Sequence, residues 1–252
     1  MFFFKKTNIE IKVASNASGG LNMKKQITML LSIVIGSVLS ADPTPVLSYD
    51  FSSPEIGIAG KYQKPVPQKA YKIGMPENSL ILENRNYLTV PESASFTLKD
   101  GGTLHAIVYF YGSGKSQLDK DHDMVFWKRG EFLLGRSKNL CYFNAGNGTK
   151  WMMNIHAGRI ALNQWTVLTV VLSKKEDELY TVKMFINGEM CAIKNFKAQL
   201  EEPNRENIII GQGFGGPWAL EGKIAKVMIF DFPLSDEQVK ELVAQNDLHK
   251  KK

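Results

Sequence analysis

From residue 42 onward, short apolar runs alternate with turn-forming residues, and a period of two along most runs predicts β-strands. Residues 45–51 open the set. Residues 79–90 follow as Leu-Ile-Leu, a polar Glu-Asn-Arg-Asn turn, and Tyr-Leu-Thr-Val stopped by Pro91. Residues 103–111 are a continuous β-branched and aromatic run behind Asp100-Gly101-Gly102, the pattern of a central strand buried on both faces. Strands are next expected over 124–127, 132–134, 140–143 and 151–155, separated by glycine-containing turns. Residues 165–172, 180–185, 208–210 and 224–230 complete the series. Asn187-Gly188 is the strongest hairpin signal, because both residues tolerate the positive φ of a type I′ turn. Residues 53–78, rich in Pro, Gly and Lys, read as an irregular surface excursion.

One segment has helical spacing, residues 236–244. Ser235 and Gln238 make a capping box, and Asp236 and Glu237 sit at the positive end of the helix dipole. Val239, Leu242 and Val243 form an apolar stripe expected to cover one end of the strand assembly. Many short strands, one helix and no repeat predict an all-β fold: an antiparallel two-sheet jelly-roll β-sandwich with one short C-terminal helix.

The beginning of the chain is patterned differently. Lys24 and Lys25 precede an apolar run over 27–39, shorter than the roughly 20 residues a membrane-spanning helix needs. Small residues close the run, so 23–41 reads as a signal peptide cleaved after Ser40 or Ala41. Met23-Lys24-Lys25 is itself a normal opening for such a leader, and 1–22 is expected to be an upstream extension. The product is expected outside the cytoplasm (periplasmic, secreted or on the cell surface), with one domain over 42–248 and a basic tail over 249–252. No second apolar segment is long enough to span a membrane.

Charge changes the picture only once the leader is set aside. The formal net charge is +6. Residues 1–40 carry five lysines and one glutamate, which leaves 26 basic and 24 acidic residues in the remainder. A domain so nearly neutral, with no basic stripe, gives no case for nucleic-acid binding. Two cysteines remain, Cys141 and Cys191. An oxidising compartment permits a disulfide between them, closing a loop of about 50 residues worth ~3–4 kcal/mol. Two buried thiols on different sheets are the alternative.

The C-terminal half contains an ordered series of short motifs. Asn163-Gln164-Trp165-Thr166 is followed by Met184-Phe185-Ile186-Asn187-Gly188-Glu189 and Ile209-Ile210-Gly211. Gly222-Lys223-Ile224 then runs into Val227-Met228-Ile229-Phe230, and Leu234-Ser235-Asp236-Glu237-Gln238 follows. With Leu88-Thr89-Val90-Pro91 and Thr103-Leu104-His105-Ala106 upstream, the chain resembles laminin-G-like, concanavalin A-like jelly rolls over about residues 46–246. The resemblance implies a domain that binds glycan or an extracellular protein. It also implies calcium ligands at two places, but this chain has Ala225-Lys226 at one and Glu83-Asn84-Arg85-Asn86 at the other. Loss of carboxylates there removes what a hard cation requires, so no cofactor is expected.

No strand supplies the paired carboxylates of a glycosidase. Glu176-Asp177-Glu178 lies in a polar turn, there is no Gly-x-Ser-x-Gly, and the four histidines are scattered. A non-catalytic recognition domain is therefore expected. A cell-surface adhesion module is the alternative, and a glycosidase or lyase with an atypical site the second. Asp119, Asp121 and Asp123 alternate in a loop and are weak metal candidates, lacking the glycine that bends a calcium loop. Trp165 and Trp127 read as core packing. Trp151, after Asn147-Gly148-Thr149, and Trp218, after Gly215-Gly216-Pro217, read as loop aromatics able to stack on a sugar ring. Asn154, His156, Arg159 and Gln212 are candidates to hold its hydroxyls. The alternative for each loop tryptophan is closure of a sandwich end.

Overall fold

The computed structural model describes residues 43–52, 57–62, 66–67, 79–83, 85–111, 121–200, 204–215 and 217–245. The expected leader, the basic tail and Asp119 lie outside the described residues. In chain order the strands are β1 (Leu47–Asp50), β2 (Gly57–Gly60), β3 (Val66–Pro67), β4 (Leu80–Leu82), β5 (Leu88–Thr89) and the long β6 (Gly101–Phe110). They continue as β7 (His122–Lys128), β8 (Phe132–Ser137), β9 (Leu140–Gly146), β10 (Trp151–Arg159) and β11 (Trp165–Lys174). Last come β12 (Leu179–Ile186), β13 (Glu189–Lys197), β14 (Ile209–Ile210) and β15 (Gly222–Phe230), then the helix α1 (Asp236–Gln245).

The strands form two antiparallel sheets. One is eight-stranded in the order β13-β12-β11-β6-β15-β1-β2, with β4 also paired to β15. The other is seven-stranded in the order β10-β9-β8-β7-β14-β5-β3. The expected jelly-roll sandwich is what the chain forms. β6 lies between β11 and β15, as its unbroken apolar run predicts. Its Leu104, Ala106, Val108 and Phe110 point into the core between the sheets, where they meet Phe126, Phe132, Leu134 and Phe143 from the other sheet. At the β12–β13 hairpin Asn187 and Gly188 have φ of 53° and 82°, the positive values expected of the turn.

Three expectations need correction. The 53–78 segment is not wholly irregular: β2 pairs with β1 in one sheet and β3 with β5 in the other. The helix does not close an end of the sandwich. It lies on the outer face of the eight-stranded sheet, where Val239 and Leu242 pack with Val171, Phe185, Met228 and Phe230. Its capping box forms as predicted, with Ser235 N donating to Gln238 Oε1 at 2.8 Å and Gln238 N donating to Ser235 Oγ at 3.2 Å. Finally, Cys141 and Cys191 are free thiols, not a disulfide. Cys141 is sealed in the core on β9, whereas Cys191 is half-buried on β13 of the opposite sheet, its Sγ 3.4 Å from the Met184 carbonyl. Burial pushes the Cys141 thiol well up, with the nearby Cys191 adding to the effect, so it stays protonated.

Candidate functional site

Strand alternation sorts the seven-stranded sheet into two faces. Along β9, Cys141, Phe143 and Ala145 enter the core, so Tyr142 and Asn144 point outward. On β10, Met153 and Ile155 face the core, while Asn154 stands opposite Asn144 and His156 opposite Tyr142. β7 breaks the alternation with a bulge between Met124 and Phe126. Val125 and Phe126 both join the core, and Met124 and Trp127 are left on the outer side with Leu133 of β8. The bulge is why Trp127, expected in the core, lies half-buried on the outer face. Gly135 accommodates it: a Cβ there would stand 2.1 Å from the Asp123 carbonyl oxygen.

The segment between β14 and β15 is laid across this face. Gly211 N donates to Val125 O at 2.9 Å and Leu220 N to Gly211 O at 2.9 Å. Met124 N and Gly213 N both donate to Trp218 O, at 3.3 and 3.1 Å. These bonds set Phe214 and Trp218 over the outer surface of β7. Trp218 stacks on His122 with ring centroids 4.1 Å apart and planes 7° from parallel. Phe214 contacts Trp218, Trp127 and Trp151 at centroid distances of 4.4, 6.0 and 6.2 Å. Tyr142 lies 4.2 Å from the His156 ring and 6.2 Å from Trp218.

The result is one continuous aromatic surface over the outer face of β7 to β10. Phe214 remains 41 % exposed, unusual for so large an apolar side chain. Between Trp127, Trp151 and Phe214 is a hollow of about 380 Å³, completed by Arg129, Gly130 and Gly215.

Polar groups are set among the rings. Asn144 Nδ2 donates to the Tyr142 hydroxyl at 2.8 Å, and Asn154 hydrogen-bonds the same hydroxyl. Burial raises the Tyr142 pKa, and these two bonds pull it part of the way back. Ser137 Oγ is 3.1 Å from His122 Nε2. Partial burial, then the neighbouring His122 and Lys194, hold His156 below the ordinary histidine range, so it is neutral at pH 7. Asn144 Oδ1 and Trp127 Nε1 are buried with no partner among the described residues.

Of the sequence-predicted site residues, Trp151, Trp218, Asn154 and His156 are brought together on this surface. Arg159 is exposed at the far end of β10, opposite Leu140. Gln212 is placed apart: it is buried, and its amide donates to the Arg85 carbonyl at 3.3 Å. Trp165 is also not in the core. It is half-buried on the outer face of the eight-stranded sheet, edge-on to Tyr109 at 5.6 Å. Asp121 is exposed in a turn, while Asp123 is buried and paired with Arg136, so the two do not share a face. Among the described residues, no group of three His, Cys, Asp or Glu is placed to hold a metal ion. Sequence reasoning missed Phe214, Tyr142, Asn144 and His122. Alternation along Leu140-Cys141-Tyr142-Phe143-Asn144 separates Tyr142 and Asn144 from the core residues Cys141 and Phe143, and a glycine-flanked phenylalanine marks Phe214.

The family model described as the concanavalin A-like lectin/glucanases superfamily, of laminin-G type, matches residues 82–240. The chain belongs to this superfamily. No curated protein matches it in sequence. Among solved structures, the concanavalin A-like fold recurs in the botulinum neurotoxin type G receptor binding domain. The TM-score is 0.58 at 12% identity, covering 81% of this chain and 51% of that one. The binding domain of botulinum neurotoxin DC, solved with rat synaptotagmin II, gives 0.56 at 12%, covering 81% and 52%. Domain 4 of an extracellular arabinanase from Geobacillus stearothermophilus, in complex with arabinotriose, gives 0.58 at 15%, covering 81% and 100%. The chain spans about half the length of the neurotoxin domains it matches. At these identities the likeness is one of fold alone.

Proposed function

We propose that the protein is an exported, non-catalytic recognition domain that binds carbohydrate on the outer face of its seven-stranded sheet. The observation that carries this reading is the surface of Trp127, Trp151, Phe214 and Trp218, backed by the buried Tyr142 and flanked by Asn154 and His156. Sugar rings present flat C–H faces bounded by hydroxyls. Fixed aromatic planes stack on the first, and amides and imidazoles hydrogen-bond the second. The superfamily and the arabinotriose-bound neighbour support a sugar ligand by analogy. The leader-like N-terminal pattern supports export.

A glycan array on the purified protein, repeated with Trp151→Ala and Trp218→Ala, tests the reading. Loss of a stacking ring should weaken binding about tenfold or more. Binding untouched by either change refutes the site. Absence of any glycan binding refutes the ligand class and favours a protein-binding adhesion module. Turnover of a polysaccharide overturns the non-catalytic assignment.

A further inference from the structure

We infer that the hollow between Trp127, Trp151 and Phe214 is a subsite for an anionic sugar, one carrying a carboxylate or sulfate. The inference rests on the glycan-binding reading and narrows its ligand class. Arg129 is the one charged residue that lines the hollow, and no carboxylate residue lines it. Trp127 forms one wall with its ring, its indole N–H being buried away from solvent. Arg129 is thus the side-chain polar group that the hollow's lining offers, a donor with only a long, exposed ion pair to Glu206 as its counter-charge. A sugar acid laid on the rings supplies a counter-charge. A planar guanidinium suits it, because two parallel N–H groups meet two anion oxygens.

Arg129 is not locked away from such a ligand. Its partner is Glu206 at 3.6 Å, with the two side chains 73% and 52% exposed. An ion pair that long and that exposed contributes little, and a ligand anion can replace it. The turns that flank the hollow lean the same way. Gly148 N donates to Gly130 O at 2.9 Å, which brings the Asn147–Lys150 turn beside Arg129. Asn204 Nδ2 donates to the Arg129 carbonyl, which brings Arg205 alongside. Lys150 and Arg205 are both exposed. Among the described residues nearby, Glu131 is paired with the buried Lys128, and Glu206 is held only loosely by Arg129.

The test titrates the purified protein with pectate, alginate, hyaluronate and heparin oligosaccharides, each beside its carboxyl-reduced or desulfated counterpart. At least one anionic member should bind about tenfold tighter than its neutral form at low salt, and the preference should shrink as salt rises. Comparison of the reduced and the desulfated arms tells carboxylate from sulfate. Arg129→Gln should abolish the preference, and Arg129→Lys should restore part of it. Glu206→Gln should raise affinity for the anionic member several-fold, because it removes the competing carboxylate. Both positions are on the surface, so loss of fold does not confuse the result. Neutral and anionic forms bound equally, or Arg129→Gln without effect, overturns the subsite while leaving glycan binding intact. No binding of either form, here or on the array, removes the parent reading instead.

Discussion

Acidification should destabilise the domain chiefly through His105. It is fully buried at the centre of β6, with Nδ1 2.9 Å from Thr169 Oγ1 and no partner for Nε2 among the described residues. Burial, reinforced by the Lys226 charge, pulls its pKa down to about 3. In an unfolded chain a histidine titrates near 6.5. The folded pKa is the lower one, so the unfolded chain takes up the proton first as pH falls. Stability is complete above about pH 6.5 and is lost progressively toward pH 3. By linkage, the loss between pH 7.5 and pH 5 is about 2 kcal/mol. Urea denaturation of the wild type and of His105→Gln at pH 7.5, 6.5, 5.5 and 5 measures it, because carboxylates titrate alike in both. Glutamine keeps a polar group for Thr169 but carries no titrating ring. The stability difference between the two proteins should shift by about 2 kcal/mol across that range, in favour of the variant at low pH. A difference that stays constant to within about 0.5 kcal/mol would refute the reasoning.

Other expectations follow from single contacts. Lys128 is buried, donates to the Ala94 carbonyl at 2.8 Å and to that of Phe96, and pairs with Glu131 at 3.1 Å. Lys128→Met should cost about 3 kcal/mol by leaving the buried Glu131 carboxylate without a counter-charge and two carbonyls without their donor, and adding Glu131→Gln should recover part of it in the same denaturation assay. Ser235→Ala should cost about 1 kcal/mol by opening the capping box. Gly135→Ala should cost about 1–3 kcal/mol, since its Cβ would meet the Asp123 carbonyl at the bulge; an unchanged melting temperature would contradict the bulge geometry.

Most of the fold was legible in the sequence because its signals are local. The unbroken run of β6, the Asn187-Gly188 turn and the Ser235–Gln238 box each act within a few residues of themselves. The faces of the strands were harder to read. One bulge residue in β7 moved Trp127 from core to surface, and no composition signal announces a bulge. Trp165 was misread as core although strand parity, with Leu168, Val170 and Leu172 in the core, puts it on the outer face. The helix itself was placed at an end because its stripe says only that something apolar lies beneath. At the site, Trp151 and Trp218 were found as loop aromatics. Tyr142 and His122 gained meaning only when β7, β9 and the 211–221 segment came together in space.

Three of the four tryptophans, Trp127, Trp151 and Trp218, stand on the outer face of the seven-stranded sheet, and Trp165 on the opposite sheet serves as an internal control. The most direct measurement follows the four indole N–H resonances by two-dimensional NMR during titration with the best glycan from the array. The indole signals of Trp127, Trp151 and Trp218 should move together along one saturating curve while Trp165 stays in place. Movement of Trp165 alone, or a bound glycan that shifts none of the three, would contradict the assignment of this face as the glycan-binding surface.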